Sequence, residues 1–297
     1  MDISSQFRGV GAALVTPFDA EGNVDFQGLE NLLKHTGPHL DYFVVNGTTA
    51  ESPTLSKKEK QKVLQFIIAH NPYHNKIVFG IGGNNTQNVL ETIKETDFEG
   101  IDAILSVSPA YNKPSQEGIY QHYKAIADAC PVPVILYNVP PRTSSNMLAS
   151  TSLRLASHPN VIAVKEAAGD LVQCQAIVKD KPADFLLLSG DDLLSVPMIS
   201  IGGSGVISVI ANAFPEQFCA YVHAALDGDY QKAQELMMPL LEINQLLFAE
   251  GNPSGVKLAL EILGVCEAHV RLPLIKGSED LKARLTQHIN QLVGVQA

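Results

Sequence analysis

Apolar residues recur in short, nearly unbroken runs: Val10 to Val15, Tyr42 to Val45, Ile77 to Phe79, Ala103 to Val107, Val134 to Tyr137, Val161 to Val164, Phe185 to Leu188 and Val206 to Val209. Runs of this length without polar alternation predict strands buried on both faces, as in parallel sheets. Most are followed by a stretch whose apolar positions recur at helical spacing, so strand and helix alternate and the chain reads as α/β. Eight such units fit a closed (β/α)8 TIM barrel. An open, doubly wound sheet is the alternative, because strand number alone does not impose closure.

The helical stretches carry their own start and stop signals. Phe26, Leu29, Leu32 and Leu33 share one face, and Gly37-Pro38 ends that helix, with Gly37 expected in the left-handed cap conformation. Ser56 and Glu59 spell a capping box that opens a helix running to about His70. Pro215 opens another after the eighth strand, and Tyr230 to Glu250, Ser254 to Leu263 and Glu279 to Val293 predict three more. The expected organisation is a catalytic barrel over residues 1–229 and a C-terminal helical extension over 230–297.

Composition narrows the class of function. A chain of 297 residues, 45% hydrophobic, buries one large core. Its net charge of -10 disfavours nucleic acid and anionic membrane surfaces as partners. Small acidic substrates remain compatible, since a few cations at a pocket mouth reverse the potential locally. Cys130, Cys174, Cys219 and Cys266 stand singly, which points to reduced thiols and not to a zinc cage or a disulfide framework. Met1 to Gly9 lacks a basic start followed by an apolar run, and no later run is long enough to span a bilayer, so a cytoplasmic location is expected.

Chemistry in such barrels sits at the carboxyl ends of the strands. After the second strand, Asn46-Gly47-Thr48-Thr49-Ala50-Glu51 offers hydroxyls and backbone N–H groups that suit a carboxylate, or simply a capped turn. The fourth and fifth strands end in Tyr111 and Tyr137, phenols able to relay a proton without net charge at neutral pH. Arg142 follows, with a guanidinium fork that pairs a carboxylate bidentately or joins a surface ion pair. The sixth strand delivers Lys165, whose amine, partly desolvated, attacks a ketone to form an imine and then an enamine. A solvated salt bridge with Glu166 is the plainer alternative.

Competing signals are weaker. Gly80 to Asn85 lacks the last glycine of a dinucleotide fingerprint, and Gly202-Gly203-Ser204-Gly205 lacks a P-loop lysine and reads as a tight turn. His35 with His39 and His70 with His74 have metal-ligand spacing, but Gly37-Pro38 and Pro72 interrupt the helices that would align them. No metal is expected. Cys219 and His223 share a helix face, as packed residues more readily than as a thiolate pair.

The segments GTTAES, SPAYNKPSQEG, ILYNVPPRT, AVKEAAGD, LSGDD and GGSGVISV occur in one order, and over most of residues 7–275 the chain resembles the dihydrodipicolinate synthase family. The resemblance implies a barrel enzyme that condenses pyruvate with L-aspartate 4-semialdehyde on the route to diaminopimelate and lysine, with no cofactor beyond a covalent imine on Lys165. It implies Tyr137 as the central proton relay, Thr48 as its partner, and Tyr111 as a third member reaching across a tight dimer within a homotetramer. By the same resemblance Thr48 and Thr49 hold the pyruvate carboxylate, Arg142 the carboxylate of the semialdehyde, and Gly190 and Ile207 line the keto-acid pocket. Ala50 stands where the family has glycine, and Lys57, Lys60 and Ala110 speak against feedback by lysine. Two other readings keep the barrel: an aldolase or lyase acting on N-acetylneuraminate or a 2-keto-3-deoxy sugar acid, and a keto-acid sensor without turnover. Arg142 favours a short second substrate ending in carboxylate.

Overall fold

The computed structural model describes residues 3–294, so the extreme ends of the two expected segments, 1–229 and 230–297, lie outside the described residues. Its strands are β1 (Gly9–Ala13), β2 (Tyr42–Val45), β3 (Lys76–Gly80), β4 (Ala103–Val107), β5 (Val134–Asn138), β6 (Val161–Glu166), β7 (Leu186–Ser189) and β8 (Gly205–Ser208). They follow one another in the order β1 to β8 and close into a barrel. The expected (β/α)8 class is the observed one. Every residue of β1, β2, β5, β6, β7 and β8 is buried, which is why their sequences read as continuous apolar runs and not as alternating ones.

The helices are α1 (Phe26–Thr36), α2 (Lys57–Ala69), α3 (Thr86–Glu95), α4 (Gln116–Ala129), α5 (Pro140–Thr143), α6 (Ala149–Ala156), α7 (Leu171–Asp180), α8 (Ser195–Ser200) and α9 (Pro215–Leu226), followed by α10 (Tyr230–Met237), α11 (Leu241–Ala249), α12 (Ser254–Ile262) and α13 (Glu279–Val293). Ser56 and Glu59 form the full capping box before α2, each satisfying a backbone N–H that the first turn would leave orphaned. Asp25, Asn85 and Asp170 do the same work at the starts of α1, α3 and α7 by accepting from two backbone N–H groups each. Among the described residues no helix is long and apolar enough to cross a membrane.

Two local expectations need correction. The helix expected over Tyr230 to Glu250 is broken: α10 ends at Met237, and a 3-10 turn at Met238–Leu240 precedes α11. Pro239 is the cause, since it has no N–H to donate and its ring crowds the carbonyl four residues back. Gly37 is right-handed, not left-handed. The small residue is needed there because a Cβ would meet the Tyr73 ring at 2.5 Å and the Leu33 carbonyl oxygen at 2.7 Å.

The chain gathers into two compact units, Met1–Val10 with Lys76–Ile207 and Gly11–Asn75 with Ser208–Ala297. In the first, the start of β8 packs tightly against the first residue of β1. Gly9 N–H donates to the Ser204 carbonyl at 3.0 Å. Gly205 has a φ of +150°, and a Cβ on it would fall 2.0 Å from the Gly9 carbonyl oxygen. The Gly202 to Gly205 segment is therefore a tight turn set by backbone contact. In the second, Asn212 seats the chain after β8 by accepting from Val15 N–H at 3.1 Å and donating to the Ala13 carbonyl at 2.9 Å. Both the forbidden φ and the backbone clash at Gly205 predict that Gly205→Ala destabilises the fold by about 2 kcal/mol or more. Urea denaturation of the variant beside the parent chain measures this.

Candidate active site

In the first unit, the functional side chains are set by how β5 and β6 pair. Val134 lies opposite Val161, but an irregularity follows, and from Ile135 onward each partner on β6 is one residue later than that start would give. Tyr137 thus lies opposite Lys165 and Asn138 opposite Glu166. Without the slip Tyr137 would face Val164, and Lys165 would project to the other side of the sheet. The Lys165 Nζ instead stands 4.4 Å from the centroid of the Tyr137 ring.

Both groups are buried, Lys165 at 5% exposure and Tyr137 at 7%. Burial is the main reason that the Lys165 amine falls from its ordinary 10.5 to about 8, with Asp192 pulling it up and the Arg142 guanidinium pressing it further down. That drop is worth about 3 kcal/mol against the charged form and leaves a usable fraction of neutral amine near pH 7 to 8. Space beside the lysine comes from Gly190, where a Cβ would meet Lys165 Cε at 3.0 Å and Ala167 Cβ at 2.6 Å. Ile207 is wholly buried in β8.

The alternative pairing of Lys165 with Glu166 does not form. Glu166 projects to the opposite face and accepts from Asn138 Nδ2 and Gln173 Nε2, each at 3.0 Å, and from Ala168 N–H at 2.8 Å. Burial raises its carboxyl even so. Asn138 also donates to Asn146 Oδ1 at 2.7 Å and accepts from Met147 N–H at 2.9 Å. The residues next in sequence to Tyr137 and Lys165 are therefore locked by a hydrogen-bonded cluster on the other face. Of its members only Glu166 was singled out from the sequence, as a partner for Lys165, although strand alternation alone places it opposite in sense to that lysine.

Arg142 lies in α5, directly after β5, with its side chain exposed. Its guanidinium has no hydrogen-bond or ion-pair partner among the described residues, so the surface ion pair that competed with a carboxylate-binding role is not formed. Tyr111 follows β4 in a left-handed conformation, φ 72°, and is 90% exposed. Its loop is held: Asn84 Nδ2 donates to the Ala110 carbonyl at 3.2 Å, and Asn112 Nδ2 to the Asn84 carbonyl at 3.0 Å.

In the second unit, Thr48 and Thr49 occupy the turn after β2, closed by Ala50 N–H donating to the Gly47 carbonyl at 3.2 Å and Glu51 N–H to the Thr48 carbonyl at 3.0 Å. The left-handed residues of this turn are Asn46 and Glu51. Ala50 is not one of them, so an alanine costs the turn no strain there. The Thr16 hydroxyl donates to the Ala50 carbonyl at 2.9 Å.

The weaker signals resolve as packing. Burial pushes the Cys219 thiol up to about 12, and His223 bonds Asp41 at 2.9 Å. Among the described residues no three His, Cys, Asp or Glu side chains gather so as to hold a metal ion.

A buried amine in contact with a phenol at a barrel mouth is a recognised setting for imine chemistry, and comparison with known proteins narrows it. Residues 6–292 match the model of the dihydrodipicolinate synthetases. The chain belongs to the dihydrodipicolinate synthetase family. A 4-hydroxy-tetrahydrodipicolinate synthase of Cytophaga hutchinsonii is 49% identical over 282 residues, 95% of either chain. The crystal structure of dihydrodipicolinate synthase from Aquifex aeolicus aligns with a TM-score of 0.92 at 37% identity, covering 97% of this chain and 99% of that one. The chloride-inhibited dihydrodipicolinate synthase of Acinetobacter baumannii, complexed with pyruvate, aligns with the same TM-score, identity and coverage.

For a dihydrodipicolinate synthetase the ionisation of Lys165 is the property to measure. Labelling of Lys165 by an amine reagent, followed by mass spectrometry across pH, is expected to rise with a midpoint near 8, where an ordinary lysine rises near 10.5. Asp192→Asn removes the charge that favours the ammonium form and should move that midpoint lower.

Proposed function

We propose that this chain is a Schiff-base-forming lyase, a 4-hydroxy-tetrahydrodipicolinate synthase, that condenses pyruvate with L-aspartate 4-semialdehyde. The observation that carries the reading is the buried, low-pKa Lys165 amine against the Tyr137 ring, in a chain of this family. The neutral amine adds to C2 of pyruvate, and the carbinolamine loses water to give a protonated imine. Tyr137 relays the protons of these steps, with Thr48 and Tyr111 as its partners. The cationic imine draws electrons from C3, whose lost proton leaves an enamine, and C3 then forms the new bond to the aldehyde carbon. The amino group of the added chain attacks the imine carbon, closes the ring and releases Lys165. Covalent electron withdrawal by the lysine does the work of a cofactor, and none is added.

The polar groups divide by substrate. Thr48 and Thr49 hold the pyruvate carboxylate, in a turn whose hydroxyls and N–H groups suit an anion. Gly190 and Ile207 line the keto-acid pocket, a reading supported by the room that the missing side chain at 190 leaves beside Lys165. Arg142 takes the carboxylate of the semialdehyde, and its lack of a partner among the described residues supports that role. Tyr111 acts in a neighbouring subunit of a tight dimer, within a tetramer of two such dimers. Exposure of 90% on a pinned, left-handed residue supports this reading.

Lys165→Ala is expected to lose condensation, followed with the downstream reductase as coupling enzyme, together with borohydride trapping of pyruvate. Arg142→Met should still trap pyruvate, with the pH profile of trapping moved slightly upward because a cation beside Lys165 is gone, yet raise the KM for the semialdehyde by a hundredfold or so, the range for losing a charge-assisted pair. Normal turnover by Lys165→Ala would defeat the assignment. The subunit role of Tyr111 has its own test, a heterodimer of Lys165→Ala with Tyr111→Phe. Acting in the neighbour, Tyr111 restores one intact site and activity returns well above either parent; acting in its own subunit, it leaves both sites defective.

A further inference from the structure

The second unit contains a buried polar system whose members lie far apart in sequence and end on the Thr48–Thr49 turn. Lys257, in the first half of α12, is wholly buried and pairs with the equally buried Glu51 at 2.6 Å. The same ammonium donates to the His269 carbonyl at 2.7 Å and lies 4.2 Å over the Phe18 ring. The other oxygen of Glu51 accepts from Arg271 N–H at 2.9 Å. A buried ion pair satisfied in this way adds little net stability, but it holds its partners in one geometry because leaving either charge alone is costly. It fixes α12 relative to the turn that ends in Glu51.

Asn252, two residues before α12, is carried on that frame. Its Nδ2 donates to the Thr49 hydroxyl oxygen at 3.0 Å, and both side chains are buried. A hydroxyl that accepts from an amide keeps its own proton for another acceptor, and Thr49 has no further partner among the described residues. We propose that Asn252 is a positioning residue for substrate binding: it fixes the Thr49 hydroxyl as a donor, aimed at the carboxylate of the keto acid before that carboxylate arrives. This rests on the reading that the Thr48–Thr49 turn holds the pyruvate carboxylate. Without Asn252 the hydroxyl rotates freely, and part of the binding free energy goes into orienting it.

The test is a pyruvate titration of borohydride trapping at Lys165, read by mass, with the full-length chain and its Asn252→Ala, Asn252→Asp, Thr49→Val and Asn252→Ala/Thr49→Val variants, each melted to check folding. Asn252→Ala should raise the half-saturating pyruvate concentration about tenfold, as loss of one oriented hydrogen bond does, and leave the rate at saturation within about twofold. Asn252→Asp should raise it further, because a carboxylate turns the hydroxyl proton the wrong way. In the Thr49→Val background, Asn252→Ala should add less than about twofold, a coupling that a merely structural residue would not produce. If the alanine variant does not fold, Asn252→Ser, whose hydroxyl stops short of Thr49, is read in its place. Unchanged half-saturation in Asn252→Ala, or a full effect persisting without the Thr49 hydroxyl, overturns the proposal while the parent chain still traps pyruvate. A parent chain that traps nothing at Lys165 overturns the functional reading and this inference with it.

Discussion

The one-residue slip between β5 and β6 is the constraint on which the meeting of Lys165 and Tyr137 depends. A strand presents alternate residues to alternate faces, so moving the pairing by one position exchanges what lies inside for what lies outside. With the slip, the phenol of Tyr137 and the amine of Lys165 share a face, while Asn138 and Glu166 share the other. The outer pair then bonds to itself and to Gln173 and Asn146, which penalises any return to the unslipped register. A buried carboxylate deprived of these donors would carry the full cost of desolvation. The polar cluster behind the strands thus keeps the reactive pair in place without touching it.

Desolvation does for Lys165 what neither Asp192 nor Arg142 does alone. The two charged neighbours act in opposite directions, and burial outweighs the balance between them. The guanidinium that helps discharge the amine is itself exposed. This local cationic character coexists with a net charge of -10 over the chain, because a pocket of low dielectric responds to its nearest charges while the distant ones are screened by solvent and salt.

The turn after β2 is held by different means. Its carbonyl and N–H groups close a short loop, yet its orientation comes from Glu51, whose two oxygens are claimed by Lys257 and Arg271, more than two hundred residues away in sequence. Arg271 continues to Glu59, the same residue that completes the capping box of α2. Burial and reciprocal hydrogen bonding tie the C-terminal helices to this turn.

Local chemistry made much of this readable from the residues. Doubly buried parallel strands must be apolar throughout, so eight runs announced eight strands; Ser56 with Glu59 announced a helix start; and a lysine ending an apolar run announced a buried amine. Motif order then linked Thr48, Tyr111, Tyr137, Arg142 and Lys165. What depended on contacts between distant segments was not readable. The register slip, the capture of Glu166 by Asn138 and Gln173, the backbone press on Gly205 and the reach of Asn252 and Lys257 to the turn after β2 each join residues whose spacing carries no period. Even near at hand, Pro239 broke a helix that periodicity extended, and Gly37 proved small for the sake of Tyr73 and not for its own φ. Periodicity and capping are properties of a few consecutive residues, so the sequence alone determined most of the elements and which lysine ends the sixth strand. Register, burial and the pairing of buried charges are properties of packed segments, so only the tertiary structure decided which side chains meet.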